Sequence, residues 1–145
     1  MTTITIYGPL RGKGRPRFAG GHAYTPETTR RYEGEIQGAW LLAHGERLDG
    51  PVALDVTAYQ ALPKRATKAA KTAVEQGSIK PLGKPDIDNI IKIVMDALNG
   101  YAYQDDTQVV QLDARKEYAA DGVSRLVVSV KGIKEHVHDE CKSEG

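Results

Sequence analysis

The sequence predicts one small α/β domain of the mixed α+β kind: a mixed sheet of about four strands with helices packed on it. Three observations carry this expectation. Alternating apolar and polar residues, rich in β-branched types, recur over residues 3–7, 52–59, 108–118 and 124–131. Helical periodicity bounded by breakers recurs over residues 25–44, 66–76 and 86–98. A chain of 145 residues, 40% hydrophobic and 27% charged, suits a single core.

Thr3 to Tyr7 form the first strand. Gly8 to Gly21 follow as a loop with five glycines, Pro9 and Pro16, too basic and glycine-rich to pack. Gly8, Gly12, Lys13 and Gly14 superficially imitate a phosphate-binding P-loop. The spacing is one residue short, no Ser or Thr follows the lysine, and Pro16 blocks an immediate helix, so no nucleotide cofactor is expected. Lys13, Arg15 and Arg17 instead suit contacts with DNA phosphates. Phe18 reads either as a stacking or wedge residue or as a staple folding the loop onto the core.

His22 to Tyr24 make a short strand. Thr25 as cap and Pro26 at the first position open a helix to about His44. Its apolar stripe is Tyr32, Ile36, Ala39, Trp40 and Ala43. Gly34 and Gly38 within it suggest close approach to a neighbouring element. Gly50-Pro51 break the chain before the strand at Val52. Residues Ala66 to Gln76 read as a helix, preceded by Lys64. Lys64, Lys68 and Lys71 lie on one stripe, a solvated face by default and a DNA-facing one on the sharper reading. Residues 76–84 form a loop ending in Lys84. Gln108 to Tyr118 and Ser124 to Lys131 read as a hairpin around Ala120-Asp121-Gly122. Residues 1–133 are the expected domain. Residues 134–145 are expected to be a flexible polar tail, with adventitious metal binding by His136, His138, Asp139 and Cys141 the weaker alternative.

No apolar run reaches about 18 residues, so no membrane partner is expected. The N-terminus lacks the charged and apolar regions of a signal peptide. A single cysteine excludes an internal disulfide and a four-cysteine zinc site. The cytoplasm is the expected compartment. Net charge is +1, but its distribution is uneven. Residues 11–31 carry six basic side chains against one acid, +5; residues 64–84 carry six against one, +5; residues 86–106 carry one against five, −4. Two basic segments flanking an acidic one fit a polyanion held around a metal.

The stretch Lys84 to Gly100 organises the chain. Ile87, Ile90, Ile91, Val94 and Leu98 follow helical spacing and are expected in the core. Asp86 stands at the cap and Asn99-Gly100 at the end. Asp88, Lys92 and Asp96 share the opposite face. Asp86, Asp88 and Asp106, with Asp105 beside it, are candidate ligands of Mg²⁺. A helix from Ile87 to Leu98 is roughly 18 Å long, and residues 99–106 span roughly 23 Å when extended, so the chain has the reach to return Asp106 to Asp86 and Asp88. Lys92 faces the scissile phosphate or makes an ordinary ion pair one turn from Asp88. Asp96 is set apart, pairing with Lys92 or orienting the helix end. Spacing alone leaves metal binding and simple helix capping both open.

The run Lys84-Pro85-Asp86-Ile87-Asp88-Asn89-Ile90-Ile91-Lys92, then Asp96-Ala97-Leu98, then Asp105-Asp106 with Gln108-Val109-Val110, resembles the RusA family of Holliday-junction resolvases. The likeness is densest over residues 84–118. It implies a small mixed α/β homodimer that cuts four-way DNA using Mg²⁺ or Mn²⁺. It places the family's catalytic aspartates on Asp86, Asp88 and Asp106, and its catalytic lysine on Lys92. The two-fold symmetry of a four-way junction suits a homodimer. Two readings compete: a metal-dependent nuclease on flaps, forks or duplex DNA, and a catalytically silent DNA-binding module.

Overall fold

Four strands form the main sheet in the order β1-β6-β4-β5. They are β1 (Thr2–Tyr7), β4 (Val52–Gln60), β5 (Val109–Tyr118) and β6 (Arg125–Gly132). A computed structural model describes residues 1–14, 17–24 and 26–134. A separate ribbon joins β2 (Arg17–Ala19) to β3 (His22–Tyr24). Three helices complete the fold: α1 (Glu27–Leu42), α2 (Lys68–Glu75) and α3 (Ile87–Leu98). The expected tail, except Lys134, lies outside the described residues. So does Thr25, the expected cap; the position before the first helical turn is Pro26.

The sheet is mixed, as its composition predicts. β4 runs parallel to β5 and antiparallel to β6, and β6 runs antiparallel to β1. β4 holds a centre position, and Val52 to Leu54 and Val56 to Ala58 are buried without a break. A strand paired on both sides and covered by helices needs such a run. β6 instead alternates, with Leu126, Val128 and Val130 inward. β1 sends Ile4 and Ile6 to the same side.

β5 and β6 do not form a hairpin. β4 lies between them. The turn residues after Tyr118 do reverse the chain, yet the reversal straddles the end of β4. Ala119 N–H donates to Gln60 O at 2.9 Å, and Ala61 N–H donates to Ser124 Oγ at 2.9 Å. Turn chemistry sets where the chain turns back. The most apolar strand takes the position between the two arms, where both its edges are paired.

α1 and α3 cover the inner face. Ile36, Trp40, Ile90, Ile93, Val94 and Leu98 are fully buried between helices and sheet. Gln37 Nε2 donates to Ala97 O at 3.0 Å and locks the two helices together. The buried stripe of α3 is rotated from the expected one. Ile93 and Ala97 join it, while Ile87 is 39% exposed. Ile87 lies in the first turn, beyond the edge of α1. The α1 glycines also differ from expectation. A Cβ at Gly34 or Gly38 would meet nothing within 4 Å. The close approaches are at Gly12, Gly14 and Gly45, the last against the Trp40 ring.

This rotation sets a contrast measurable by urea unfolding. Ile93→Ala is expected to cost about 2–5 kcal/mol through lost burial and a cavity. Ile87→Ala is expected to cost about 1 kcal/mol or less, because its site is already partly solvated.

Candidate active site

The loop before α1 is not a free arm. Lys13 N–H donates to Asn89 O at 2.9 Å, and Gly14 N–H donates to Thr29 Oγ1 at 3.2 Å. A Cβ at Gly12 would stand 2.9 Å from Asn89 Cβ, and one at Gly14 would stand 2.6 Å from Thr29 Oγ1. Only glycine fits at both places. The glycines that suggested an unpacked loop are what allow it to pack on α3 and α1. Thr29 is a site residue that sequence reasoning missed; it is 3% exposed, and its hydroxyl is the loop's anchor.

This docking walls an open cleft of about 890 Å³. Arg11, Lys13, Lys84, Pro85, Asp86 and Asn89 line it, together with Thr28 and Thr29. Two of the expected DNA contacts, Lys13 and Lys84, thus meet Asp86. Lys64, Lys68 and Lys71 are not part of this lining; Lys64 and Lys71 face a separate hollow beside residues 119–122. Arg15 and the side chain of Arg17 lie outside the described features. Phe18 is 77% exposed on the β2–β3 ribbon, so it does not staple the loop to the core.

Asp86 occupies the N-cap of α3 with extended backbone angles, but its side chain makes no capping hydrogen bond. Its carboxylate is therefore not committed to the helix. Asp88 is exposed in the first turn. Lys92 is exposed one turn later and enters no ion pair among the described residues.

Asp96 has a partner other than Lys92. Lys13 Nζ sits 3.0 Å from Asp96 and 3.1 Å from Glu33 of α1. Partial burial pulls the Lys13 pKa down, but the hydrogen bonds to Asp96 and Glu33 outweigh it, and the net shift is upward. Lys13 therefore clamps loop, α1 and α3 together through one ammonium. The alternation of charge along α3 pointed to Lys92 as the partner; a long-range lysine takes the position because the docked loop brings it there.

The chain returns from α3 through Gly100, at φ +84°, and buries Tyr103 completely. Tyr103 OH donates to Met95 O at 2.8 Å, which pins the return beside the C-terminal half of α3. Burial first, then the charges of Asp106, Asp96 and Asp105, raise the Tyr103 pKa, so the phenol stays a donor. Asp106 is raised from the usual 3.8 by burial, then by its hydrogen bond and charge repulsion with Asp105, then by Asp96. Asp96 thus belongs with Asp105 and Asp106, although the helix length set it apart from Asp86 and Asp88.

Gln108 holds this second acidic pair. Its Oε1 accepts from the N–H groups of Gln104 at 2.8 Å and Asp105 at 3.1 Å. Its Nε2 donates to Leu48 O at 2.9 Å and Gly50 O at 3.0 Å. Every hydrogen-bonding position of the amide is used. Only its place after the paired acids, in the quoted motif, could have singled it out.

Asp86 and Asp88 lie at the start of α3, and Asp106 lies after its end. Among the described residues no three His, Cys, Asp or Glu side chains stand in a metal-holding group. The acids instead form two pairs along one helix, Asp86 and Asp88 at its start and Asp105 and Asp106 beside its later turns. Asp88, Lys92 and Asp96 mark one face between them at steps of four. Such pairs of carboxylate oxygens fit Mg²⁺ or Mn²⁺, which take few protein ligands and keep waters or substrate oxygens. They do not fit a soft metal needing thiolates or imidazoles.

Two stability effects follow. Lys13→Ala is expected to cost about 1–2 kcal/mol, because it leaves two part-buried carboxylates unpaired. Asp96→Asn should remove much of that penalty in a double-mutant cycle, measured by chemical unfolding. Asp106→Asn is expected to raise Tm at pH 7 without divalent ions. The folded carboxyl has the raised pKa, so its destabilising effect grows as pH rises through the unfolded and then the folded value. The gain should vanish below about pH 3, where both states are protonated.

No helix among the described residues is long and apolar enough to cross a membrane. The Endodeoxyribonuclease RusA family matches residues 8–131. The chain is also 37% identical over 140 residues to the uncharacterized protein YqaN of Bacillus subtilis (strain 168), covering 90% of this chain and 95% of that protein. The family match takes in the docked loop, both acidic pairs, Lys92, β4, β5 and all but the last residue of β6, and it begins just after β1. With the family matched over most of its length, this chain belongs to the RusA endodeoxyribonuclease family.

Proposed function

We propose that this protein is a Mg²⁺-dependent endodeoxyribonuclease, with Mn²⁺ as a substitute, that resolves four-way DNA junctions as a homodimer. The observation that carries the reading is the Asp86 carboxylate, left free of helix capping at the mouth of a cleft walled by Arg11, Lys13 and Lys84. A carboxylate among cations is ordinarily neutralised by pairing; none of the three cations pairs with Asp86 among the described residues. That arrangement suits a phosphate and a divalent ion entering together.

Asp86 and Asp88 are the ligands proposed for the ion, with Asp106 brought in from the second pair and Asp105 as its alternative. A divalent ion held there supplies charge to the scissile phosphate and activates water. Lys84 and Arg11 would hold the DNA backbone at the cleft. Lys92, on the face between the two acidic pairs and without a carboxylate partner, would offset the negative charge that develops on the phosphate. Phe18, exposed on a ribbon that projects from the loop, suits stacking or wedging at a branch point. Lys64, Lys68 and Lys71 would serve a longer DNA arm, since they lie apart from the cleft. Lys13 is assigned to holding the cleft wall first and to phosphate contact second.

The homodimer follows from the substrate. A four-way junction offers two equivalent strands, and a two-fold pair of chains presents one site to each. The functional domain is taken as residues 1–133, acting in the cytoplasm of a bacterial or phage-infected cell. Flaps, forks and duplex DNA could be cut by the same residues. A silent DNA-binding module is disfavoured because, among the described residues, Asp86 makes no capping bond and Lys92 no ion pair.

The test pairs cleavage with binding on a synthetic four-way junction. Cutting should require Mg²⁺ or Mn²⁺ and should exceed cutting of forks and duplex. Asp86→Asn, Asp88→Asn and Asp106→Asn should lose cutting by orders of magnitude while retaining junction binding. Lys92→Ala should lose about 10²-fold or more. Near-normal cutting by Asp88→Asn would refute the assignment. Sedimentation at micromolar concentration should show a dimer; a monomer with junction bound would refute that part alone.

A further inference from the structure

A second hollow, about 220 Å³, opens on the far side of Arg11. Arg11, Arg31, Thr28, Tyr7, Tyr32 and Glu35 line it. Arg11 and Thr28 also line the larger cleft, so the two spaces share a wall. Two guanidiniums against one carboxylate leave the hollow at net +1. Arg31 is lightly committed. It meets Glu27 at 3.2 Å, with side-chain exposures of 71% and 77%, a pair that an incoming anion readily displaces.

Tyr32 is an independent sign of an absent partner. It is 5% exposed, and its hydroxyl is buried with no hydrogen-bond partner among the described residues. Buried hydroxyls in folded proteins are nearly always paired. Burial, with a smaller push from Glu35 against a pull from Arg11, moves its pKa up to about 12, so at neutral pH it holds a proton to donate. Tyr7 stands at the rim, 70% exposed, and offers a ring face.

We propose that this hollow binds one backbone phosphate of a DNA strand, away from the scissile bond, through Arg11, Arg31 and the Tyr32 hydroxyl. The proposal rests on the DNA-cutting reading given above. The charge balance selects the source. Glu35 opposes a free phosphate dianion more than a phosphodiester, which carries a single charge. A strand leaving the large cleft past Arg11 reaches this hollow through their common wall, and the Tyr7 ring suits the sugar or base attached. The site makes Arg11 the hinge of a longer DNA path across the start of α1, and it adds a contact that cleavage chemistry does not need.

The test is a phosphate-neutralisation scan. Single uncharged methylphosphonates are placed along each strand of a four-way junction, and binding is measured without divalent ions for the wild type, Arg31→Ala, Tyr32→Phe and the exposed control Arg30→Ala. The wild type and Arg30→Ala should lose affinity at one phosphate outside the cleavage point. Arg31→Ala and Tyr32→Phe should be insensitive there and unchanged elsewhere. Arg31→Ala should weaken binding about fivefold and reduce the salt slope by about one. Tyr32→Phe should weaken it about twofold with an unchanged or higher Tm, because it deletes an unpaired buried hydroxyl. A lower Tm with an unaltered scan would mark Tyr32 as purely structural and overturn the proposal. Identical scans for the wild type, Arg31→Ala and Tyr32→Phe would also overturn it. Inorganic phosphate raising Tm of the wild type but not of Arg31→Ala, with no change in the scan, would show a free-phosphate site instead. Failure of the wild type to bind junction at all would instead strike the DNA-cutting reading itself.

Discussion

The ammonium of Lys13, held between Asp96 and Glu33, is the interaction on which the site depends. It joins three segments remote in sequence: the loop after β1, the middle of α1 and the later half of α3. Two backbone bonds flank it, one to Asn89 and one to Thr29, and two glycines remove the side chains that would keep the segments apart. Without that docking Arg11 would have no fixed relation to Asp86, and there would be no walled cleft. The interaction is stabilising because it is shielded; the three side chains are 16%, 19% and 34% exposed. An exposed pair of the same length, such as Arg31 with Glu27, contributes little.

The second constraint is the way the chain leaves α3. Asn99 and Gly100 turn it, Tyr103 fastens it to Met95, and Gln108 fastens it to Leu48 and Gly50 before β5 enters the sheet. The sheet then fixes the rest: β5 lies parallel to β4, so its start is held in register at Val52. Asp105 and Asp106 sit at the point where the helix return, buried at Ala102 and Tyr103, meets the start of β5. Their positions are over-determined, which is what lets two like charges remain adjacent. Repulsion between them is stored in the fold, and a cation is the natural counter-charge.

Much of the fold was legible in the sequence because period-two and helical patterns report burial directly. The strands at Thr3, Val52, Gln108 and Ser124, and the helices over α1, α2 and α3, follow from those patterns with ends moved by a residue or two. Strand neighbours were not legible. The turn at Ala120-Asp121-Gly122 marks a reversal but cannot reveal that β4 occupies the gap. The glycines misled in both directions. Gly34 and Gly38 lie in a helix and face open space, while Gly12 and Gly14 lie in a loop and are pressed against side chains. A glycine in sequence states only that a side chain is absent; whether a neighbour fills the room is a tertiary fact. The site divided in the same way. Asp86, Asp88, Lys92 and the Asp105-Asp106 pair stand out locally. Thr29, Gln108, Tyr103 and the role of Lys13 depend on contacts outside the local pattern, from 8 residues away for Tyr103 to 60 for Gln108.

The charge layout explains why the acids and the cations are interleaved rather than simply opposed. Lys13 shares its one positive charge between Asp96, in the later half of the helix, and Glu33, and makes no ion pair with Asp86 among the described residues. The Asp105-Asp106 pair keeps its repulsion, and no ion pair engages it among the described residues. Lys92 lies between the two pairs and, among the described residues, is paired with neither. The protein therefore satisfies the charges that hold the cleft together and leaves unsatisfied those that face its open side. If Lys13 were free and Asp96 bare, α3 would carry three acids on or beside one face against Lys92 alone, and DNA would be repelled from the helix. With Asp96 paired to Lys13, the open face of α3 keeps Asp86 and Asp88 beside Lys92, a charge that the proposed divalent ion would offset. The structural ion pair thus acts on the chemistry indirectly, by deciding how much negative charge the open face presents.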